Sequence, residues 1–159
     1  MDIRFEGSVL FVKDVEASRR FYEDLLGQKV KDDFGSFVGF EGGLGIWEAS
    51  FAHQLIFEEP LGGPGTMGKR NLELYFETDE IEKAWSQISD ADVELVHPIA
   101  EQPWGQRVFR LYDPDGHIVE VGEPMPLVAR RLLDQGVGLE KVAEITMLSL
   151  EAVKKIARS

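Results

Sequence analysis

One order of elements, a strand, a helix and then three strands, runs twice along this chain, and that doubling constrains its fold more than any single motif. In the first pass Ile3 to Val12 reads as a strand that Asp14 stops. Val15 to Leu26 then carries apolar residues at helical spacing (Val15, Phe21, Tyr22, Leu25, Leu26), with Gly27 placed to cap the helix. Gln28 to Asp32, Ser36 to Glu41 and Leu44 to Glu48 read as short strands separated by Asp33-Phe34-Gly35 and Gly42-Gly43. The second pass restarts near Asn71. Asn71 to Thr78 is a strand, Asp79 stands as N-cap with Glu82 in the capping-box position, and Ile81, Trp85 and Ile88 share one side of the next helix. Val93 to His97, Arg107 to Tyr112 and His117 to Val121 supply three more strands. The pattern predicts an α+β fold of two βαβββ modules, about 3–50 and 70–123, whose open sheets curl around a shared cavity. A linker over 51–69, with Gly62-Gly63-Pro64-Gly65 at its centre, joins them.

Residues 126–159 differ in character. They read as three short helices, Leu127 to Gln135, Leu139 to Ile145 and Ser149 to Ala157, with Val142, Leu148, Leu150, Val153 and Ile156 available for a small core. The domain boundary is therefore placed between 1–125 and 126–159. The arrangement resembles helix-turn-helix modules, but six basic against four acidic residues give this segment only +2, and the rest of the −12 chain carries −14. Affinity for DNA depends on phosphate neutralisation, so nucleic acid is not the expected partner, and a dimerising or pocket-covering appendage is. No apolar run approaches ~20 residues, so no membrane span is expected. The first residues show no signal-peptide pattern, and the absence of cysteine excludes disulfides, thiolate nucleophiles and thiolate metal sites; a cytoplasmic location is the expectation.

The stretch Asp113-Pro114-Asp115-Gly116 is a rigid turn that hands directly into the last strand. Proline fixes φ, glycine supplies positive φ, and the aspartates bond their own backbone. Beyond it Ile118 and Glu120 share one face, and Val119 and Val121 the other. A carboxylate on that face stands either on a wet surface or in a lined cavity.

These residues carry a family resemblance. Phe11-Val12-Lys13-Asp14 with Ser18, Phe21-Tyr22 and Leu26-Gly27 stand in the first half. Leu74-Tyr75-Phe76-Glu77-Thr78-Asp79, Pro103-Trp104-Gly105 and the turn with Glu120 stand in the second. In order and spacing the chain resembles the vicinal oxygen chelate superfamily, which includes glyoxalase I, bleomycin-resistance proteins, fosfomycin-modifying enzymes and extradiol dioxygenases. The resemblance covers about residues 3–123 and implies a fold and a pocket, not a reaction. It also implies a homodimer. In metal-dependent relatives the first and fourth strands of each module supply the metal ligands, and those positions fall here at Gly7, Glu48, Glu73 and Glu120. Glu48 is read with Ile46 on its face and Glu73 with Tyr75, so that three carboxylates point into one pocket.

The departures from that pattern matter. Gly7 offers no side chain, Glu6 beside it points to the opposite face, and no histidine occupies any of the four positions. The glyoxalase I and two-histidine-one-carboxylate ligand sets are both broken. Three glutamates close together raise one another's pKa and require compensation. A hard divalent ion (Mg, Mn or Ca, with Ni and Zn also considered), a cationic ligand, or Arg107 turned inward would supply it. Phe11, Tyr75 and Trp104 are the expected pocket walls, Trp47 and Trp85 are assigned to the core, and Arg107 and Glu120 complete the expected ligand contacts. None of His53, His97 and His117 has a paired Asp or Ser at motif spacing. Two readings stay open: a glyoxalase/bleomycin-resistance-like protein that binds a small molecule without the full metal site, and a divalent-metal lyase, isomerase or dioxygenase-like enzyme. Gly7 and the missing histidines favour the first, and three carboxylates at ligand positions favour the second.

Overall fold

A computed structural model describes residues 6–58, 67–70 and 72–158. By its contacts the chain falls into two units: residues 1–72 with the turn Asp113–His117, and residues 73–112 with 118–159.

In the first unit, β1 (Ser8–Val12), β2 (Val30–Asp33), β3 (Phe37–Phe40) and β4 (Leu44–Glu48) form a sheet in the order β1-β4-β3-β2. β1 and β4 run parallel and the other pairs antiparallel. Helix α1 (Val15–Arg19) packs on β3 and β4. Its cap is Asp14, whose carboxylate accepts from the Ala17 amide at 2.9 Å. It continues as a π-helical turn, Arg20–Leu25, which carries Phe21 and the fully buried Tyr22 into the core beside Phe40. Leu10, Val12, Val38, Phe40 and Ile46 are all buried on this helix side. Val9, Phe11, Phe37, Gly39, Gly45 and Trp47 alternate onto the other face.

The stretch after β4, read from the sequence as the start of the linker, is instead helix α2 (Ala49–Phe57). Glu48 caps it, accepting from the Phe51 amide at 3.3 Å. The glycine-rich centre of the expected linker lies outside the described residues, as do Ile3 and the other first residues of the expected opening strand.

The second unit repeats the plan with β5 (Glu73–Glu77), β6 (Leu95–Glu101), β7 (Arg107–Tyr112) and β8 (Ile118–Gly122) in the order β5-β8-β7-β6. Helix α3 (Ile81–Ser89) packs on β6 and β7, with Trp85 against Phe109 at 5.4 Å between ring centres. Its N-cap is Glu80 without a side-chain capping bond, one residue later than the sequence reading, and Glu82 turns to Arg107 rather than closing a capping box. β6 extends to Glu101 and tolerates Pro98 because it is an edge strand with irregular register on both sides of His97.

Helices α4 (Met125–Asp134), α5 (Leu139–Thr146) and α6 (Leu150–Arg158) follow. Val128, Ala129, Leu132, Val142 and Val153 make their common core, and Ser149 caps α6 through the Ala152 amide at 3.2 Å. Among the described residues no helix is long and apolar enough to cross a membrane.

Candidate functional site

The face of the first sheet turned away from α1 is aromatic and nearly bare of polar side chains. Trp47 meets Phe11 and Phe37 edge-on, at 6.1 and 6.3 Å, and Phe11 meets His53 at 5.7 Å. Gly39 and Gly45 face each other across β3 and β4. A Cβ on Gly45 would come within 3.0 Å of the Phe37 ring and one on Gly39 within 3.4 Å, so the ring occupies the space the glycines leave. A cavity of about 350 Å³ opens on this surface, lined by Gly7, Val9, Phe37, Gly39 and Gly45, with Glu6, Lys31 and Asp32 as charged members.

The corresponding face of the second sheet is charged. Glu120 on β8 pairs in register with Tyr75 on β5 and with Arg110 on β7. The Arg110 guanidinium donates to Glu73 at 2.7 Å and forms a second ion pair with Glu120, whose side chain is 7% exposed. A further guanidinium nitrogen lies 3.0 Å from His97 Nε2. Arginine only donates, so His97 accepts there, and its ring proton sits on Nδ1, 2.7 Å from the Pro98 carbonyl.

A directed hydrogen-bond chain runs beside this cluster. The Trp104 indole donates to Gln106 Oε1 at 2.8 Å. Gln106 Nε2 donates to the Tyr75 hydroxyl at 2.8 Å and to the Glu123 carbonyl at 2.7 Å, and Tyr75 donates to Glu77 at 2.9 Å. Partial burial, followed by the bond to Glu77, pushes the Tyr75 hydroxyl up to about 12, so it is a donor throughout the neutral range.

The structure places several residues otherwise than the sequence reading did. Glu48 shares its face with Ile46, which is fully buried on the helix side, and its carboxylate caps α2. Trp47, assigned to the core, is the residue on the opposite face; Trp85 is on the helix side as expected. Arg107 also points to the helix side, held by Glu123 and Glu82, so the inward cation is Arg110. The alternation Arg107, Phe109, Leu111 against Val108, Arg110, Tyr112 carried that signal, since Phe109 and Leu111 had to face the helix. Phe11, Tyr75 and Glu120 lie on the faces expected of them, and Trp104 joins Tyr75 through Gln106.

Among the described residues no three His, Asp or Glu side chains gather to hold a metal ion. The first position is closed by backbone: a Cβ on Gly7 would stand 2.0 Å from the Gly43 carbonyl oxygen.

His117 has a structural setting in the first unit. Asp113, 4% exposed, accepts from Tyr22 at 2.8 Å and from the His117 ring at 2.9 Å. Burial would raise the Asp113 carboxyl, but the bonds from His117 and Tyr22 outweigh it and hold the group below its ordinary value. The same bond raises His117 against its own burial. Asp115 accepts from the Lys13 amide at 2.9 Å, so the turn is fastened to the end of β1 as well as to the π-helical turn.

Comparison with known proteins agrees with this geometry. The sequence profile of the glyoxalase-like domain matches residues 5–126. A structure of a protein of unknown function from Agrobacterium tumefaciens str. C58 is 45% identical, with a TM-score of 0.72 over 78% of this chain and 96% of that one. A glyoxalase/bleomycin resistance protein/dioxygenase from Nocardioides is 24% identical, with a TM-score of 0.61 over 77% of this chain and 85% of its own. The Bacillus subtilis (strain 168) protein YwbC is 27% identical over 126 residues, 74% of this chain and 94% of its own. With two four-stranded mixed sheets in the order first-fourth-third-second and a profile match across both, the chain belongs to the glyoxalase-like family of the vicinal oxygen chelate superfamily.

Proposed function

We propose that this protein binds a small, planar, positively charged molecule through the charged face of its second sheet, and does so without a metal ion. The observation that carries the reading is Arg110. Its guanidinium stands between Glu73 and Glu120 and neutralises the pair from within, the role a divalent ion would otherwise fill. Glu73, Glu77 and Glu120 still outnumber Arg110 on that face, which leaves it net acidic and selects for a cation. Tyr75, 47% exposed, and the half-buried Trp104 add aromatic surface of the kind that receives flat or cationic groups.

The test combines metal content with ligand screening. Protein purified without chelator or affinity tag is expected to carry no stoichiometric metal and to gain no thermal stability from Mg²⁺, Mn²⁺, Zn²⁺ or Ni²⁺. A panel of cationic aromatics is expected to stabilise it, and Glu120→Gln to weaken that effect. Near-stoichiometric metal that disappears in Glu120→Ala would overturn the reading and favour the metal-dependent lyase or isomerase alternative.

A further inference from the structure

The family profile ends at residue 126, at the start of α4, so nearly all of the three C-terminal helices lies beyond it, yet α4 is bonded to the turn that carries Trp104. That turn, Gln102 to Gln106, is closed by two backbone bonds: the Gly105 amide to the Gln102 carbonyl at 2.8 Å, and the Gln102 amide to the Gln106 carbonyl at 2.7 Å. Gly105 adopts a φ of +78°, and its open side meets the tail. A Cβ there would lie 3.4–3.5 Å from Val128, Leu132 and Ile145, so the turn rests on the apolar surface of α4 and α5. Only glycine combines this left-handed backbone with this close an approach at no steric cost.

Arg131 on α4 joins the turn to the sheet. One guanidinium nitrogen donates to the Gly105 carbonyl at 2.6 Å and to Glu123 Oε2 at 3.0 Å, and another lies 3.3 Å from Glu101 on β6. Glu123 is 5% exposed and is also held by Arg107, through its amide at 3.0 Å and its Nε at 2.9 Å. The Glu123 backbone carbonyl in turn takes one amide hydrogen of Gln106, whose other hydrogen goes to Tyr75. With Oε1 engaged by Trp104, the Gln106 amide has no alternative orientation that keeps its bonds.

We propose that the C-terminal helices are a buttress for the ligand-facing turn, with Arg131 as the positioning residue that fixes Trp104 and Gln106 relative to Tyr75. The tail thereby sets ligand affinity without touching the ligand. The effect on affinity rests on the binding reading above; the effect on the turn does not.

The experiment compares Arg131→Gln with Val153→Ala in ¹⁵N-labelled full-length protein. Val153 is fully buried in the tail core, and the side chains nearest Gly105 are Ile145, Val128 and Leu132, so its truncation loosens the helices without removing a bond to the turn. Solvent exchange of the three tryptophan indole N–H groups is read by NMR alongside the melting temperature, and binding of thioflavin T, a cationic aromatic, is titrated by fluorescence. Arg131→Gln is expected to speed Trp104 indole exchange by about tenfold with Trp47 and Trp85 unchanged, while Val153→Ala, at equal or greater loss of melting temperature, leaves all three within about twofold. Unchanged Trp104 exchange in Arg131→Gln would overturn the buttress, and equal acceleration in both variants would overturn Arg131 as its positioning residue. Failure of the wild-type protein to bind thioflavin T counts against the ligand class alone, because the indole readout needs no ligand. If thioflavin T binds the wild type, weaker binding in Arg131→Gln than in Val153→Ala is the expected result, and equal affinity overturns the link from tail to ligand.

Discussion

Replacing Arg110 by Met tests whether the charged face is held together from within. The substitution keeps the aliphatic stem and removes the cation that Glu73 and Glu120 share. The two pairs do not weigh equally. Glu73 is 40% exposed, and pairs of that kind contribute about 0–1 kcal/mol. The Glu120 side chain is 7% exposed, and stripping a buried carboxylate of its partner costs about 3–5 kcal/mol. Arg110 is itself 22% exposed, so water reaches part of the pair and the lower end applies: about 3 kcal/mol at pH 7. For a chain of this length that is a fall in melting temperature of roughly 6–12 °C. Urea unfolding followed by tryptophan fluorescence gives the free energy. Adding Glu120→Gln to Arg110→Met removes the stranded charge and is expected to recover at least half of the loss. A deficit below about 1 kcal/mol, or a double variant no more stable than the single, would refute the argument that Arg110 is the internal counter-ion of a buried carboxylate.

Two further outcomes follow from particular contacts. Gly7→Ala sets a methyl group 2.0 Å from the Gly43 carbonyl oxygen, backbone against backbone, and is expected to destabilise by about 2–3 kcal/mol in the same urea assay. Gly7→His is expected to be at least as damaging and to create no Ni²⁺ or Zn²⁺ binding by calorimetry. The Asp113–His117 pair shapes the pH dependence from both ends. His117 is raised by its bond to Asp113, so its contribution is complete below about pH 6.5 and is lost as pH rises through the raised value. Asp113 and Glu123 are lowered, Glu123 because the bonds from Arg107 and Arg131 overcome its burial; their contributions are present above about pH 4 and lost as pH falls through the lowered values. A melting-temperature profile should therefore decline on both sides, and His117→Gln should flatten the alkaline side; an unchanged alkaline limb in that variant would contradict the assignment.

Much of this was legible because strand alternation is a strict rule. Glu120 was assigned to the side of Ile118, away from Val119 and Val121, and both valines are buried against the helix side as alternation requires. The same rule does not place Glu48, because Ile46 is not the counterpart of Ile118. Ile46 is fully buried and Ile118 only half so, and nothing in Leu44-Gly45-Ile46-Trp47-Glu48 alone says which of two apolar sets meets the helix. Glutamate is also an unusual N-cap, so α2 left little sign of its start. The closure of position 7 was not legible at all, because Gly43 approaches through β1–β4 pairing across more than thirty residues. The link from Arg131 to Gly105 likewise joins residues whose proximity depends on how α4 turns back after β8.

One βαβββ frame has taken two chemistries on the same face. In the first unit the positions that would carry polar side chains are Gly7, Gly39 and Gly45, and Phe37 fills the space over two of them. In the second unit the matching surface holds Glu73, Glu120 and the cation that joins them. A bound metal ion gives a pocket both its charge balance and its fixed geometry. Here Arg110 supplies the balance, and a chain of bonds from Arg131 through Glu123 and Gln106 to Trp104 and Tyr75 supplies the geometry. The second sheet presents oriented donors, aromatic surface and excess negative charge, the features on which the proposed binding of a flat cation rests.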